Sequence, residues 1–148
     1  MRCYIRILIF TVEYVIIGPM LQREKFSTGA PWEKVVGYSR AVRCGNLIEV
    51  SGTIAMDEDG NSTGIGDPYR QTVDIIEMAG RVLERAGSGL EDVVRTRIYV
   101  TDISRWEEVG RAHGAYFGEI MPATSMVQVA ALIRPESMVE IEFTAHVE

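Results

Sequence analysis

Between Asp92 and Asp102 the chain reads DVVRTRIYVTD, a period-two run that constrains the fold more than any other segment. Successive side chains of a strand point to opposite faces. Val94, Thr96, Ile98 and Val100 therefore share one side, and Arg95, Arg97, Tyr99 and Thr101 the other. A second alternation closes the chain, with Val139, Ile141, Phe143, Ala145 and Val147 opposite Glu140, Glu142, Thr144 and His146. Each run predicts a strand with one apolar and one polar face.

Helical spacing flanks the first run on both sides. Asp67-Pro68 supplies an N-cap and a proline at the first helical position. Tyr69, Val73, Ile76, Gly80 and Leu83 then recur at helical intervals until AGSGL ends the segment. After the run, Ser104 and Glu107 form a capping-box pattern, and Trp106, Val109, His113, Phe117 and Ile120 make a second stripe that Pro122 terminates. Upstream, SRAVRCGNLIEVSG predicts two strands joined at Cys44-Gly45-Asn46, and AMDEDGNSTGIGDP a polar loop without a phosphate-cradle arrangement. TSMVQVAAL and SMVEIEFTAHV supply two final strands.

The order is strand, strand, helix, strand, helix, strand, strand. Crossovers of this kind predict an α+β fold, a mixed sheet with two helices on one face. The opposite face would carry Tyr99 among arginines and carboxylates. A face half apolar and half charged is economically explained by self-association.

At 148 residues the chain is long enough for one domain with its own core. Its net charge of −6, with basic residues scattered, argues against a nucleic-acid groove or an anionic membrane as partner. Cys3 and Cys44 form neither a zinc array nor a disulfide framework, so no metal is expected and a reducing, cytoplasmic setting fits best. The opening MRCYIRILIFTVEYVIIGPML is interrupted by Arg6 and Glu13, which suits neither a signal peptide nor a transmembrane helix well. Residues 1–19 are an extension outside the domain core, an added strand or a targeting segment, or translation starts at Met20. Residues 20–148 form the domain.

His113 and His146 are the chain's histidines, and no Ser-His-Asp set can be read. His113 falls on a buried helical stripe, which suits a packed histidine with one hydrogen-bond partner. Glu140 and Glu142 lie on one side of a strand, where repulsion and partial burial raise a carboxylate's pKa and equip it to handle a water. An ordinary solvated strand face is the plainer reading of the pair. Arg95 and Arg97 either bind anions or pair with these glutamates across strands.

GNLIEVSG, the long stretch DVVRTRIYVTDISRWEEVGRAHGAYFGEIMPATSMVQVAAL and VEIEFTA together resemble the RidA (YjgF) family. The likeness runs in register from about Tyr38 to the end, with a short loop insertion near Arg134. It implies a chorismate-mutase-like (YjgF-like) fold and a homotrimer with ligand clefts between subunits. It also implies hydrolysis of reactive enamines and imines to ammonia and a 2-oxo acid, without metal or cofactor. Carried over by position, the resemblance makes Tyr38 the cleft tyrosine and Gly52 the glycine whose backbone borders the ligand. Met126 stands where cysteine is usual, and Glu140 matches the carboxylate that handles the attacking water. Thr124 departs from the pattern: the motif reads PATS where deaminating members carry PARS. Gly110 and His113 are smaller departures.

A neutral hydroxyl falls short of a charge-assisted bidentate contact by about 1–3 kcal/mol, or ~10- to 100-fold in binding. Two readings follow for a small-molecule ligand. One is a divergent enamine or imine deaminase, with Glu140 serving the water, Thr124 binding substrate, and Arg97 or Arg134 standing in as anion contact. The other is a trimer that binds a small metabolite without turning it over. RNA cleavage, also attributed to this family, fits the acidic balance poorly.

Overall fold

A computed structural model describes residues 22–148, so the readings for residues 1–19 fall outside it. Its six strands are β1 (Arg23–Phe26), β2 (Ala41–Cys44), β3 (Leu47–Ile54), β4 (Val93–Val100), β5 (Ala123–Gln128) and β6 (Val139–His146). They form one mixed sheet in the order β1-β2-β3-β6-β4-β5. β4 and β5 run parallel, and the other neighbours are antiparallel. The helices are α1 (Pro31–Val36), α2 (Pro68–Arg85) and α3 (Trp106–Phe117).

The expected crossovers are present. α2 connects β3 to β4, and β6 inserts between those two strands; α3 connects β4 directly to parallel β5. Both long helices cover one face of the sheet. Ile48, Val50, Ile98, Val100, Ile141 and Phe143 pack there against Ile75, Ile76, Ala79 and Leu83 of α2 and Val109 and Phe117 of α3. Burying each large aliphatic or aromatic side chain of this layer contributes roughly 1.5–3 kcal/mol.

Several local expectations need correction. The sheet gains β1, and a third short helix, α1, precedes β2 with Trp32, Val35 and Val36 exposed. The stripe of α2 keeps Ile76 and Leu83 buried as expected but is displaced around them: Ile75, Ala79 and Val82 are also buried, whereas Tyr69 is exposed. On α3, Trp106 is exposed and Ala112 takes a buried place. Ser104 does not cap α3. Asp102 accepts from the Ser104 N–H (3.0 Å) and hydroxyl (2.7 Å), opening a 3-10 turn over Ile103–Arg105 that leads into the helix. Val94 is exposed and Val93 buried, because the β4–β6 register shifts between Val93 and Arg95. β5 stops at Gln128, short of the Leu132 that the pattern suggested.

Other expectations hold. Asp67 caps α2 by accepting from Arg70 N–H at 3.0 Å, with Pro68 beginning the helix. Gly45 (φ 61°) opens the two-residue turn between β2 and β3, where a positive φ matches strand twist. One buried polar side chain was not anticipated. Gln71 donates to the Glu136 carbonyl (3.0 Å) and accepts from the N–H groups of Met138 (2.8 Å) and Val139 (3.3 Å), so α2 fixes the entry into β6. Among the described residues no helix is long and apolar enough to cross a membrane.

Candidate functional site

β6 alternates strictly. Val139, Ile141 and Phe143 point into the helix-covered core, so Glu140 and Glu142 project from the open face of the sheet. Glu140 is partly buried there. A register shift between Val50 and Thr53 of β3 brings Gly52 beneath its carboxylate. A methyl group on Gly52 would overlap the carboxylate, with the carboxyl carbon only 3.0 Å from the added atom. Glycine at this bulge is what lets the acid group lie against backbone. Burial pushes the Glu140 carboxyl above its ordinary value, the negative charge of Glu142 adds to this, and Arg40 opposes it.

Arg40 is the residue that pattern reading missed. It is 9% exposed, and its Nη1 donates to the Gly52 carbonyl (2.9 Å) and the Thr53 hydroxyl (3.1 Å). Its Nη2 donates to the Tyr38 hydroxyl (3.2 Å), and the guanidinium carbon stands 5.6 Å from the centre of the Tyr38 ring. Tyr38, Arg40, Gly52 and Glu140 thus form one constellation. The available signal was positional: Arg40 lies two residues after Tyr38, immediately before β2, and continues its alternation. Tyr38 also lines a cavity of about 390 Å3 with Arg23, Lys25, Lys34 and Ser39. The other cavity, about 250 Å3, is lined by Met56, Asp57, Arg70, Asp74 and Arg81, away from Glu140.

Of the other arginines considered from sequence, Arg97 and Arg134 are engaged, whereas Arg95 makes no ion pair within 4.0 Å among the described residues and its Nε is buried without a partner. Arg97 lies opposite Glu142 and pairs with it at 3.6 Å, while the Tyr99 hydroxyl donates to the same carboxylate at 3.2 Å. Arg134 donates to the Ser62 hydroxyl (3.3 Å), which in turn donates to Glu136 (2.8 Å).

Thr124 occupies the sheet's outer edge on the helix-covered side. Its register partner is Thr96, whose hydroxyl is 2.9 Å from that of Thr124 and 3.1 Å from His113 Nε2. Thr124 donates to the Pro122 carbonyl at 3.0 Å. A carbonyl can only accept, so one direction satisfies the whole chain: His113 Nε2–H to Thr96, Thr96 to Thr124, Thr124 to Pro122. Burial lowers the His113 pKa and so favours the neutral ring, here in the tautomer that carries its proton on Nε2. The ring also packs on Phe117, with centroids 4.6 Å apart. Thr124 has therefore committed its one proton. Met126, two residues along β5, packs against the core on the same side.

Within one chain, then, Glu140, Gly52 and Tyr38 come together, whereas Thr124 and Met126 lie across β4 and on the other face. Neither cavity described is lined by Thr124 or Met126. Among the described residues no cluster of three His, Cys, Asp or Glu side chains could hold a metal.

Comparison with known proteins agrees with the fold. The family model described as Endoribonuclease L-PSP matches residues 29–147. A RutC family protein of Pyrococcus abyssi is 36% identical over 124 residues, covering 83% of this chain and 95% of the relative. The 3-aminoacrylate deaminase RutC of Acinetobacter baylyi is 33% identical over 110 residues, covering 74% and 86% respectively. A crystal structure of a YjgF/YER057c/UK114 family member from Mycobacterium tuberculosis superposes with a TM-score of 0.77 at 50% identity, covering 85% of this chain and all of that one. With its strand order, its crossovers and these matches taken together, the chain belongs to the YjgF/RidA family.

Proposed function

We propose that this protein is an enamine/imine deaminase acting on small reactive nitrogen compounds, at clefts formed where copies of the chain meet. The observation that carries the reading is Glu140, a partly buried carboxylate with raised proton affinity seated on the Gly52 backbone. A base tuned upward from the ordinary carboxylate range is better matched to deprotonating water near neutral pH. The 33% identical relative named as a 3-aminoacrylate deaminase supports the same chemistry.

In the proposed reaction an enamine is first protonated at carbon, giving the iminium ion. Glu140 then takes a proton from water as the oxygen bonds to the iminium carbon, and the C=N π electrons become the nitrogen lone pair of a carbinolamine. Glu140 passes that proton to the nitrogen, the C–N bond breaks with its electron pair leaving on ammonia, and the hydroxyl gives its proton to solvent as the C=O bond of the product forms. The opposite placement of Thr124 and Glu140 supports a cleft shared between copies, because one chain cannot bring both to one ligand.

The test is to add purified protein to a pyridoxal-phosphate enzyme that generates 2-aminoacrylate and follow pyruvate. Faster formation is expected, and Glu140→Gln should remove ~100-fold or more of the acceleration. A rate equal to that in buffer ends this reading.

A second reading, a trimer that binds a metabolite without turning it over, is favoured by one feature: Thr124 has neither a charge nor a free proton to offer a substrate carboxylate. Activity gained only by a Thr124→Arg variant would select it. The ribonuclease implied by the family model's description is disfavoured by the net charge of −6 and the glutamates on the open face, which repel a polyanion.

A further inference from the structure

We propose that Arg40 holds the ligand of this site by its carboxylate, so that the protein selects small 2-oxo, imino or enamino acids over their uncharged analogues. The inference rests on the reading of the Glu140 region as a ligand site and adds to it the group that decides which ligands enter.

A guanidinium taken from water needs an anionic partner to recover what it loses. Arg40 is nine-tenths buried, yet among the described residues the ion pairs within 4.0 Å are Arg70–Asp74, Arg97–Glu142 and Arg105–Glu108. Arg40 has none. Its three acceptors, the Gly52 carbonyl and the hydroxyls of Thr53 and Tyr38, are all neutral. Nη1 is saturated by two of them, while Nε–H and one Nη2–H have no protein acceptor among the described residues. Two such donors on one planar group suit a carboxylate, which takes paired N–H bonds.

The surroundings favour the same occupant. Glu140 lies against Gly52, whose carbonyl Arg40 bonds, close enough to feel the charge of Arg40 but with no ion pair to it within 4.0 Å. A ligand whose carboxylate meets Arg40 would present its adjacent carbon towards Glu140. Tyr38 bridges Arg40 to the neighbouring cavity, where Arg23, Lys25 and Lys34 add positive charge. The carboxylate in that lining, Glu33, also feels the charge of Arg40 but makes no ion pair with it within 4.0 Å, its oxygens being bonded by Ser27 and Thr28, with both Thr28 donors at 2.9 Å.

The experiment titrates the full-length protein with pyruvate and with pyruvamide, which has the same shape without the charge. Wild type should prefer pyruvate by ~10-fold or more. Arg40→Gln should weaken pyruvate ~10- to 100-fold and leave pyruvamide unchanged, and Arg40→Lys should recover part of the loss. Nitrogen-15 spectra of wild type make the test independent of how the variants fold: the Arg40 Nε–H resonance should move on adding pyruvate. Equal affinity for the two probes, no pyruvate binding, or a stationary Arg40 resonance while pyruvate binds would each overturn the assignment. The outcome separates from that of the deaminase assay. An Arg40-dependent preference without turnover upholds the anion site and removes the deaminase; turnover with a preference unchanged in Arg40→Gln does the reverse.

Discussion

Glu140 binds its proton more tightly in the folded chain than its ordinary value of 4.5 would allow, chiefly through burial. The consequence for stability has a definite sign. A carboxylate with a raised folded pKa costs nothing below the unfolded value, and its penalty grows to full size as pH rises through the folded one. Glu140→Gln should therefore raise the melting temperature at neutral pH, with the gain vanishing below about pH 4.5, as thermal denaturation across a pH series would show. Activity carries the complementary signature. With Glu140 as the proposed base, its ionised form would be the active one, so the rate should climb with pH through its raised pKa, and Glu142→Gln should move that limb downward by removing a charge that contributes to the rise. Gly52→Ala should displace the Glu140 carboxylate and lower turnover at least ~10-fold in a deaminase assay, whereas Gly114→Ala, at an exposed helical position where an added methyl group meets nothing, should leave turnover unchanged.

At the level of elements, the strand and helix order was legible because each segment has one strong period, as in DVVRTRIYVTD and VEIEFTAHV. The strand faces of β6 followed directly, and with them the outward position of Glu140. Helix faces were less legible. Tyr69 and Trp106 fit a stripe by spacing, but the actual buried stripe depends on how α2 and α3 meet the sheet and each other. Arg40 and Gln71 escaped for a related reason: their meaning lies in partners far along the chain, Gly52 and Glu136 among them. Gln71→Leu would leave the Glu136 carbonyl and the N–H groups of Met138 and Val139 without their amide partner. Loss of at least ~2 kcal/mol of unfolding free energy is expected in urea titrations. Asp102→Ala, which uncaps the turn before α3, should cost about 1 kcal/mol by the same measurement.

For the whole molecule, the decisive asymmetry is between the two faces of the sheet. One is closed by α2 and α3; the other exposes Arg97, Tyr99 and Glu142 and includes Arg95, whose Nε is buried without a partner. A second copy laid on that face would cover these side chains, and under the proposed shared cleft sedimentation at micromolar concentration should show a trimer. A monomer throughout would remove the shared cleft. The separation of Thr124 from Glu140 has a further, genetic consequence. If each cleft draws Glu140 from one chain and the β5 edge from its neighbour, two defective alleles can rescue each other. Coexpressing Glu140→Gln with an edge-blocking Thr124→Trp would regenerate clefts with two sound halves, while Glu140→Gln with Arg40→Gln, both lesions in the same half, would regenerate none.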